Sequence, residues 1–271
     1  HPILSIITVN YNNNIGLIKT LESIKRQAFS SYEHIIIDAD SKDGSKETIL
    51  KYEKETTHLT YWCSEPDRGI YDGMNKGIEK ASGEYIYFLN SGDCLTENIL
   101  PKIPFDGTGY IYGDIEFIGK KKNKIEKAPD KVDLVFLLAK YLPHPACFIH
   151  HKLFEDKKYD TNYKIIADWI HSMQCIIFNE CSYKHIPCVI AEYDSNGVSS
   201  DYTESQNERL KWLKSNLPTP LYEAFIELSE LQQSAFRDII PTLNKTRKFQ
   251  KRAKRVIMFL YKINSILTLH K

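Results

Sequence analysis

No uninterrupted apolar run in this 271-residue chain is longer than six residues, Val256 to Tyr261 being one, whereas a bilayer-spanning helix requires about 20. The amino end carries no leader of the secretory kind either, so the sequence predicts neither a transmembrane nor a secreted protein. Cysteine is sparse and scattered. Cys63, Cys94, Cys147, Cys175, Cys181 and Cys188 form no CxxC pair and no compact framework, which argues against a zinc ribbon and a disulfide scaffold and fits a reducing cytosol. There is no GxxxxGK[ST] loop and no GxGxxG after the first apolar run, so P-loop kinases, GTPases and dinucleotide dehydrogenases are disfavoured. A GxSxG elbow and an HExxH helix are absent too, which speaks against the α/β-hydrolases and zinc proteases.

Charge is present but unevenly placed. The net of +1 combines an acidic body, 27 basic against 35 acidic residues over 1–243, with a tail from 244 onward that holds nine Lys or Arg and no acid. An acidic body disfavours broad nucleic-acid binding, and a basic tail beside apolar residues points to an anionic surface.

The first hundred residues alternate strand-like and helix-like patterns. Ile3 to Asn10, His34 to Asp38, Leu59 to Cys63 and Tyr85 to Leu89 are apolar, β-branched or aromatic runs of strand length. Between them, 15–27, 46–52 and 70–81 follow a helical period. This rhythm predicts an α/β fold with right-handed crossovers and a mostly parallel sheet flanked by helices. Farther on, the pattern predicts a strand pair at Tyr110 to Ile118 and Lys124 to Ala128. It then predicts a helix at 131–140, a strand at Cys147 to His150, a helix at 168–179, a strand at Ile186 to Tyr193 and helices from 204 onward.

Each of the first four strands ends in a polar cluster: Asn10-Tyr11-Asn12, Asp38-Ala39-Asp40, Ser64-Glu65-Pro66-Asp67 and Asn90-Ser91-Gly92-Asp93. Ligands of open α/β sheets bind at the carboxyl ends of the strands. Turns are polar for their own reasons, but four such clusters on one edge, three with carboxylates, point to a site.

The run from Ser64 through Asp67-Arg68-Gly69-Ile70-Tyr71-Asp72-Gly73-Met74-Asn75-Lys76-Gly77, followed by 81–93, joins Ser5 to Asn12 and Ile37 to Ser45 in a wider pattern. His144-Pro145-Ala146, Ala167-Asp168 and Gly197-Val198-Ser199 continue it in order. Over roughly residues 3–200 the sequence resembles the family 2 glycosyltransferases of GT-A (Rossmann-like) fold, most closely the bacterial branch that builds exopolysaccharide and O-antigen repeat units. The resemblance implies a mostly parallel mixed sheet over 1–200, with a nucleotide-binding half at 1–93 and an acceptor-binding half at 94–200. Residues 201–271 would form a helical extension.

It further implies transfer of one sugar, with inversion, from a UDP-sugar to a lipid-diphosphate-linked saccharide at the inner face of the cytoplasmic membrane. Thr8, Asn10, Tyr11, Asp38 and Asp40 would hold the base and ribose, with Glu65, Asp67, Arg68, Asn75, Lys76, Asn90 and Ser91 completing the nucleotide site. On residue pattern alone Asn75 and Lys76 read as an ordinary solvated helix face, and it is the resemblance that assigns them to the nucleotide. Asp93 would ligate Mn or Mg, hard cations that take oxygen donors and neutralise a departing diphosphate. Asn90 and Gly92 stand where the family's DxD motif has carboxylates, which implies weak metal binding without nucleotide. Asp168 would be the catalytic base, although an Asp there could also be a helix cap. His144, Asp114, Gly197 and Ser199 would lie on the acceptor or donor-sugar side. A nucleotidyltransferase of similar fold and an inactive sugar-nucleotide-binding protein are the alternatives.

The QxxRW element of processive synthases is absent. In the tail, seven cations fall between Lys245 and Arg255, and Phe249, Ala253, Val256, Leu260, Ile263 and Leu267 recur at helical spacing. Such a helix fits an anionic membrane surface, or else packs on the body or a partner chain through that stripe.

Overall fold

The computed structural model describes residues 1–119, 123–194 and 202–233. Its strands are β1 (Leu4–Asn10), β2 (Tyr32–Asp38), β3 (Leu59–Ser64), β4 (Tyr85–Phe88), β5 (Cys94–Leu95), β6 (Tyr110–Ile118), β7 (Lys124–Glu126), β8 (Cys147–His150) and β9 (Tyr183–Asp194). They form one mixed sheet in the order β3-β2-β1-β4-β8-β6-β9-β5, with β7 pairing β6. The first four strands of that order are parallel. β8 is antiparallel to both β4 and β6, so β6 runs in the direction of β4. The carboxyl ends of β1 to β4 and of β6 therefore share one edge of the sheet.

The helices that build this edge are α1 (Asn14–Lys25), α2 (Ser45–Glu55), α3 (Ile70–Lys80), α4 (Leu134–Ala139) and α5 (Ala167–Ser172). α1 and α2 cover one face, where Leu17, Leu21, Ile49 and Tyr52 close over Ile36. α3 covers the other face at very short range. A Cβ on Gly77 would sit 2.4 Å from Ile7 Cγ2, and one on Gly73 would sit 2.9 Å from Val9 Cγ1. These glycines, one helical turn apart, let the backbone of α3 rest on β1. All seven residues of β1 and all seven of β2 are buried, and each fully buried Ile among them contributes roughly 1.5–3 kcal/mol.

Most elements match the apolar runs that predicted them. α4 is shorter than the helix expected at 131–140, because Asp133 caps it by accepting from Phe136 N at 2.9 Å. The helix expected at 168–179 divides into α5 and a π-helical turn at Met173–Phe178. Contacts divide the chain into two compact units, 1–209 and 210–271. α6 (Tyr202–Asn216) and α7 (Thr219–Gln233) follow the sheet in sequence. No helix among the described residues is long and apolar enough to cross a membrane. The basic tail at 244–271 lies outside the described residues.

Candidate active site

Asp38 is the hub at the ends of β1 to β3. Its carboxylate is fully buried. It accepts from Asn10 Nδ2 (2.6 Å), Ser41 N (3.0 Å), Ser41 Oγ (2.6 Å) and Ser64 Oγ (2.6 Å). Four donors on one carboxylate repay the cost of desolvating it and tie three strand ends together. Asn10 is left half-satisfied: its amide nitrogen is bonded, while the buried Oδ1 has no donor among the described residues. Asn12 and Asp40 turn the two loops with left-handed backbones, φ 46° and 58°. Asp40 carries Lys42 at 2.6 Å, and Tyr11 projects beside them with 67% of its surface exposed.

Thr8 does not join this group. It faces the α2 side of the sheet, fully buried, with Oγ1 2.9 Å from His34 Nε2, and His34 Nδ1 in turn lies 3.1 Å from Tyr52 OH. Its hydroxyl is spent inside the fold and is not brought to the strand-end cluster.

The second part is the turn Asn90-Ser91-Gly92-Asp93 after β4. Asp93 N donates to Asn90 O (3.0 Å), closing the turn, and Gly92 supplies φ 109° at its third position, a backbone that favours glycine. α1 holds the turn in place. Thr20 Oγ1 accepts from Gly92 N (3.0 Å) and donates to Asp93 O (2.7 Å), and Asn13 Nδ2 donates to Ser91 O (2.8 Å). Farther along the helix, Ser23 accepts from Leu95 N, and Gln27 bonds Thr96 O and Leu100 N. None of these four residues was singled out from the sequence. Their signal was there, as Thr20 and Ser23 on α1 and Asn13 and Gln27 just beyond its two ends recur near helical spacing.

Asp93 is nearly buried, at 5% exposure. Asn90 Oδ1 is buried without a donor among the described residues. A carboxylate and an unpartnered amide oxygen in one rigid turn are suitable donors for a hard divalent cation. Among the described residues no group of three or more His, Cys, Asp or Glu could hold a metal.

The third part descends from α3. At its start Asp67 Oδ1 accepts from Gly69 N (3.0 Å), and partial burial raises the carboxyl pKa above its ordinary value. Arg68 is exposed and pairs with Asp72 at 2.8 Å, while Lys76 pairs with Glu65 at 3.0 Å. Asn75 is engaged away from the strand ends. Its amide donates to Tyr159 O (2.8 Å) and accepts from Tyr159 N (3.0 Å). Both ends of the side chain are therefore engaged with backbone rather than offered to a ligand, and it is not a solvated helix face either.

Asp168 lies in the first turn of α5 and does not cap it, since the cap position belongs to Ile166. Its Oδ1 is 2.7 Å from Tyr71 OH. Behind it His144 stacks on Phe88 with centroids 4.7 Å apart, and His144 Nε2 lies 2.8 Å from Tyr159 OH. Tyr159 packs against both Tyr71 and Phe88. This aromatic group joins Asp168 to the end of β4, two residues before Asn90. Burial lowers the His144 pKa, with the Asp168 charge opposing. α5 is fixed from outside by Trp169 Nε1 donating to Leu137 O (2.7 Å) and by the Arg209 guanidinium over the Trp169 ring. Glu208 accepts from Lys164 N and Ile165 N just upstream.

Asp114, on the same sheet edge through β6, is buried and accepts from Ala128 N (2.9 Å), with His185 Nε2 at 3.2 Å. Gly197 and Ser199 lie outside the described residues. A concavity of about 380 Å³ lined by Lys25, Phe29, Tyr32, Glu55 and His58 holds none of these groups.

Comparison with known proteins agrees with this fold. Residues 5–165 match the family described as Glycosyl transferase family 2. An uncharacterized glycosyltransferase of Mycobacterium tuberculosis is 31% identical over 218 residues, covering 73% of this chain and 78% of the relative. A GalNAc(5)-diNAcBac-PP-undecaprenol beta-1,3-glucosyltransferase of Campylobacter jejuni is 26% identical over 176 residues, 60% of this chain and 56% of the relative. Among solved structures, S. aureus TarS 1-349 in complex with UDP superposes with TM-score 0.64 at 15% identity, covering 92% of this chain and 77% of that one. A mannosyltransferase from Pyrobaculum calidifontis in complex with GDP-Man and Mn2+ gives 0.62 at 14% identity, covering 99% and 83%.

Proposed function

The chain belongs to glycosyl transferase family 2, and on that premise we propose that it transfers a single sugar from a UDP-sugar to a lipid-linked saccharide, with inversion at the anomeric carbon. The observation that carries the reading is the placement of Asp168. Its carboxylate is held in one position by Tyr71, and the aromatic group behind it joins it to the β4 end that bears the Asn90–Asp93 turn.

The donor enters the crevice at the carboxyl ends of β1 to β4. Tyr11 offers a ring on which the uracil stacks, and Asn10 Oδ1 gains the donor it lacks from the base or ribose. Asp38 anchors this pocket; Asp40, Glu65, Asp67, Arg68 and Lys76 border it. Asn90, Ser91 and Asp93 face the diphosphate. Mn or Mg would be held by Asp93 and Asn90 and would neutralise the charge of the leaving diphosphate. Asp168 takes the proton of the acceptor hydroxyl as its oxygen attacks the anomeric carbon. The bond from that carbon to the diphosphate breaks, and UDP leaves with the electron pair. Attack opposite the leaving group inverts the configuration. His144 and Asp114 border the acceptor side, which Gly197 and Ser199 are proposed to complete.

The acceptor class is supported by the relative that acts on an undecaprenyl-linked saccharide and by the basic tail. Docking of residues 244–271 on an anionic leaflet belongs to the same proposal. Exchanging Lys251, Arg252, Lys254 and Arg255 for Gln in the full chain should abolish flotation with anionic vesicles, and unchanged flotation would remove the tail from the account. The transfer itself is tested with a panel of UDP- and GDP-sugars and membrane extract as acceptor, scored for nucleotide release and glycolipid product. Coupled UDP release and an inverted glycosidic linkage are expected. Release of inorganic diphosphate, or a retained linkage, would overturn the reading.

A further inference from the structure

We propose that Tyr71 is the positioning residue for the base, setting the Asp168 carboxylate for proton abstraction and linking it to the donor side through α3. The proposal rests on the reading of Asp168 given above.

Tyr71 is the second residue of α3, which begins immediately after the donor-side loop of Glu65, Asp67 and Arg68. Its ring is buried at 6% exposure. Its hydroxyl lies 2.7 Å from Asp168 Oδ1 and 2.7 Å from Ile165 O. One hydroxyl hydrogen faces two acceptors, and hydrogen bonds to ionised acceptors are about twice as strong as neutral ones. While Asp168 is ionised the hydrogen therefore goes to the carboxylate. Once Asp168 has taken the acceptor proton that preference is lost, and Ile165 O stands at the same distance to receive the hydroxyl without backbone movement. The phenol stays a donor throughout, since burial, followed by the Asp168 charge, holds its pKa well above the ordinary value.

The same face of α3 makes a second connection. Asn75, four residues on, bonds both polar groups of the Tyr159 backbone, and the Tyr159 hydroxyl reaches His144. One helix thus fixes the two titratable side chains on the acceptor side. Its close rest on β1 at Gly73 and Gly77 leaves it no slack. α3 therefore holds the donor-side loop and the Asp168 carboxylate in one fixed relation.

The test is a double-mutant cycle on the full chain, with Tyr71→Phe, Asp168→Asn and the pair. UDP affinity is read by calorimetry, thermal midpoints by scanning, and transfer by single turnover with labelled donor. Tyr71→Phe should lower kcat about tenfold, the scale of one hydrogen bond to a charged group, while UDP affinity and donor KM hold within twofold. In the Asp168→Asn background the same change should cost nothing further. Wild-type kcat in Tyr71→Phe, or an equal loss in both backgrounds, would overturn the proposal, the second outcome marking a purely structural tyrosine. If residual transfer by Asp168→Asn is below detection, the split between kcat and KM in Tyr71→Phe decides alone. Near wild-type transfer by Asp168→Asn would instead sink the base assignment itself.

Discussion

At the residue scale the site depends on polar side chains that spend themselves on the fold so that a few others remain available. Thr20 is the clearest case. Its hydroxyl both accepts from Gly92 N and donates to Asp93 O, so Thr20→Val keeps the shape and strands two groups. Stability should fall by about 1–3 kcal/mol, the cost of unsatisfied buried partners. UDP binding in the presence of Mn should weaken more than binding in chelator, because the turn that loosens is the one proposed to hold the metal. Asp93→Ala should abolish the difference between the two conditions altogether. Calorimetry in both conditions checks this, and equal UDP affinity with and without metal in the unmutated protein would remove the cation from the account. The same economy applies to two residues whose side chains the fold engages elsewhere. Thr8 and Asn75 look available in sequence because both are polar and sit beside ligand-like neighbours. Their partners, His34 and the Tyr159 backbone, lie 26 and 84 positions away, and no local pattern announces such a pairing.

At the element scale α3 is the part on which donor and acceptor sides both depend. Alanine is a better helix former than glycine by about 1 kcal/mol, yet Gly77→Ala would drive a methyl to 2.4 Å from Ile7 on a buried, β-branched strand. Overpacking should win, with a net destabilisation of about 1–3 kcal/mol in chemical denaturation, and a stabilised variant would show that α3 has more room than its packing implies. β1, β2 and β4 were legible because each is a buried apolar run that ends at Asn or Asp, and β3, only partly buried, because its Leu, Tyr and Trp form a run of strand length. β5 was not, since Cys94–Leu95 is too short to show any period and exists only by pairing with β9. The buttress of Glu208 and Arg209 on α5 was equally hidden. On its own sequence α6 reads as a polar helix, and only the fold brings Glu208 and Arg209 at its middle to Ile165 and Trp169.

At the scale of the whole molecule, two buried histidines give the fold a pH limit. Burial, with the His58 charge second, brings the His34 pKa down to about 3, and burial brings that of His171 down to about 4. In the unfolded chain both return to about 6.5. Between about pH 6.5 and 4 the unfolded chain therefore binds more protons than the folded one, so stability falls as pH drops through that window and gains nothing from these groups above it. The thermal midpoint should fall from pH 7 to pH 4.5, and His34→Gln should flatten the slope; an unchanged slope would mean that His34 does not set it. The proposed function makes a sharper demand, because in it the sheet edge, the Asn90–Asp93 turn and α3 all serve one carboxylate. The most direct measurement is single-turnover sugar transfer by Asp168→Asn alongside its UDP affinity. The account predicts transfer reduced by about 10²-fold or more, the range of a general base, with UDP binding unchanged. Transfer near the wild-type rate, or a loss of transfer matched by an equal loss of UDP affinity, would contradict it.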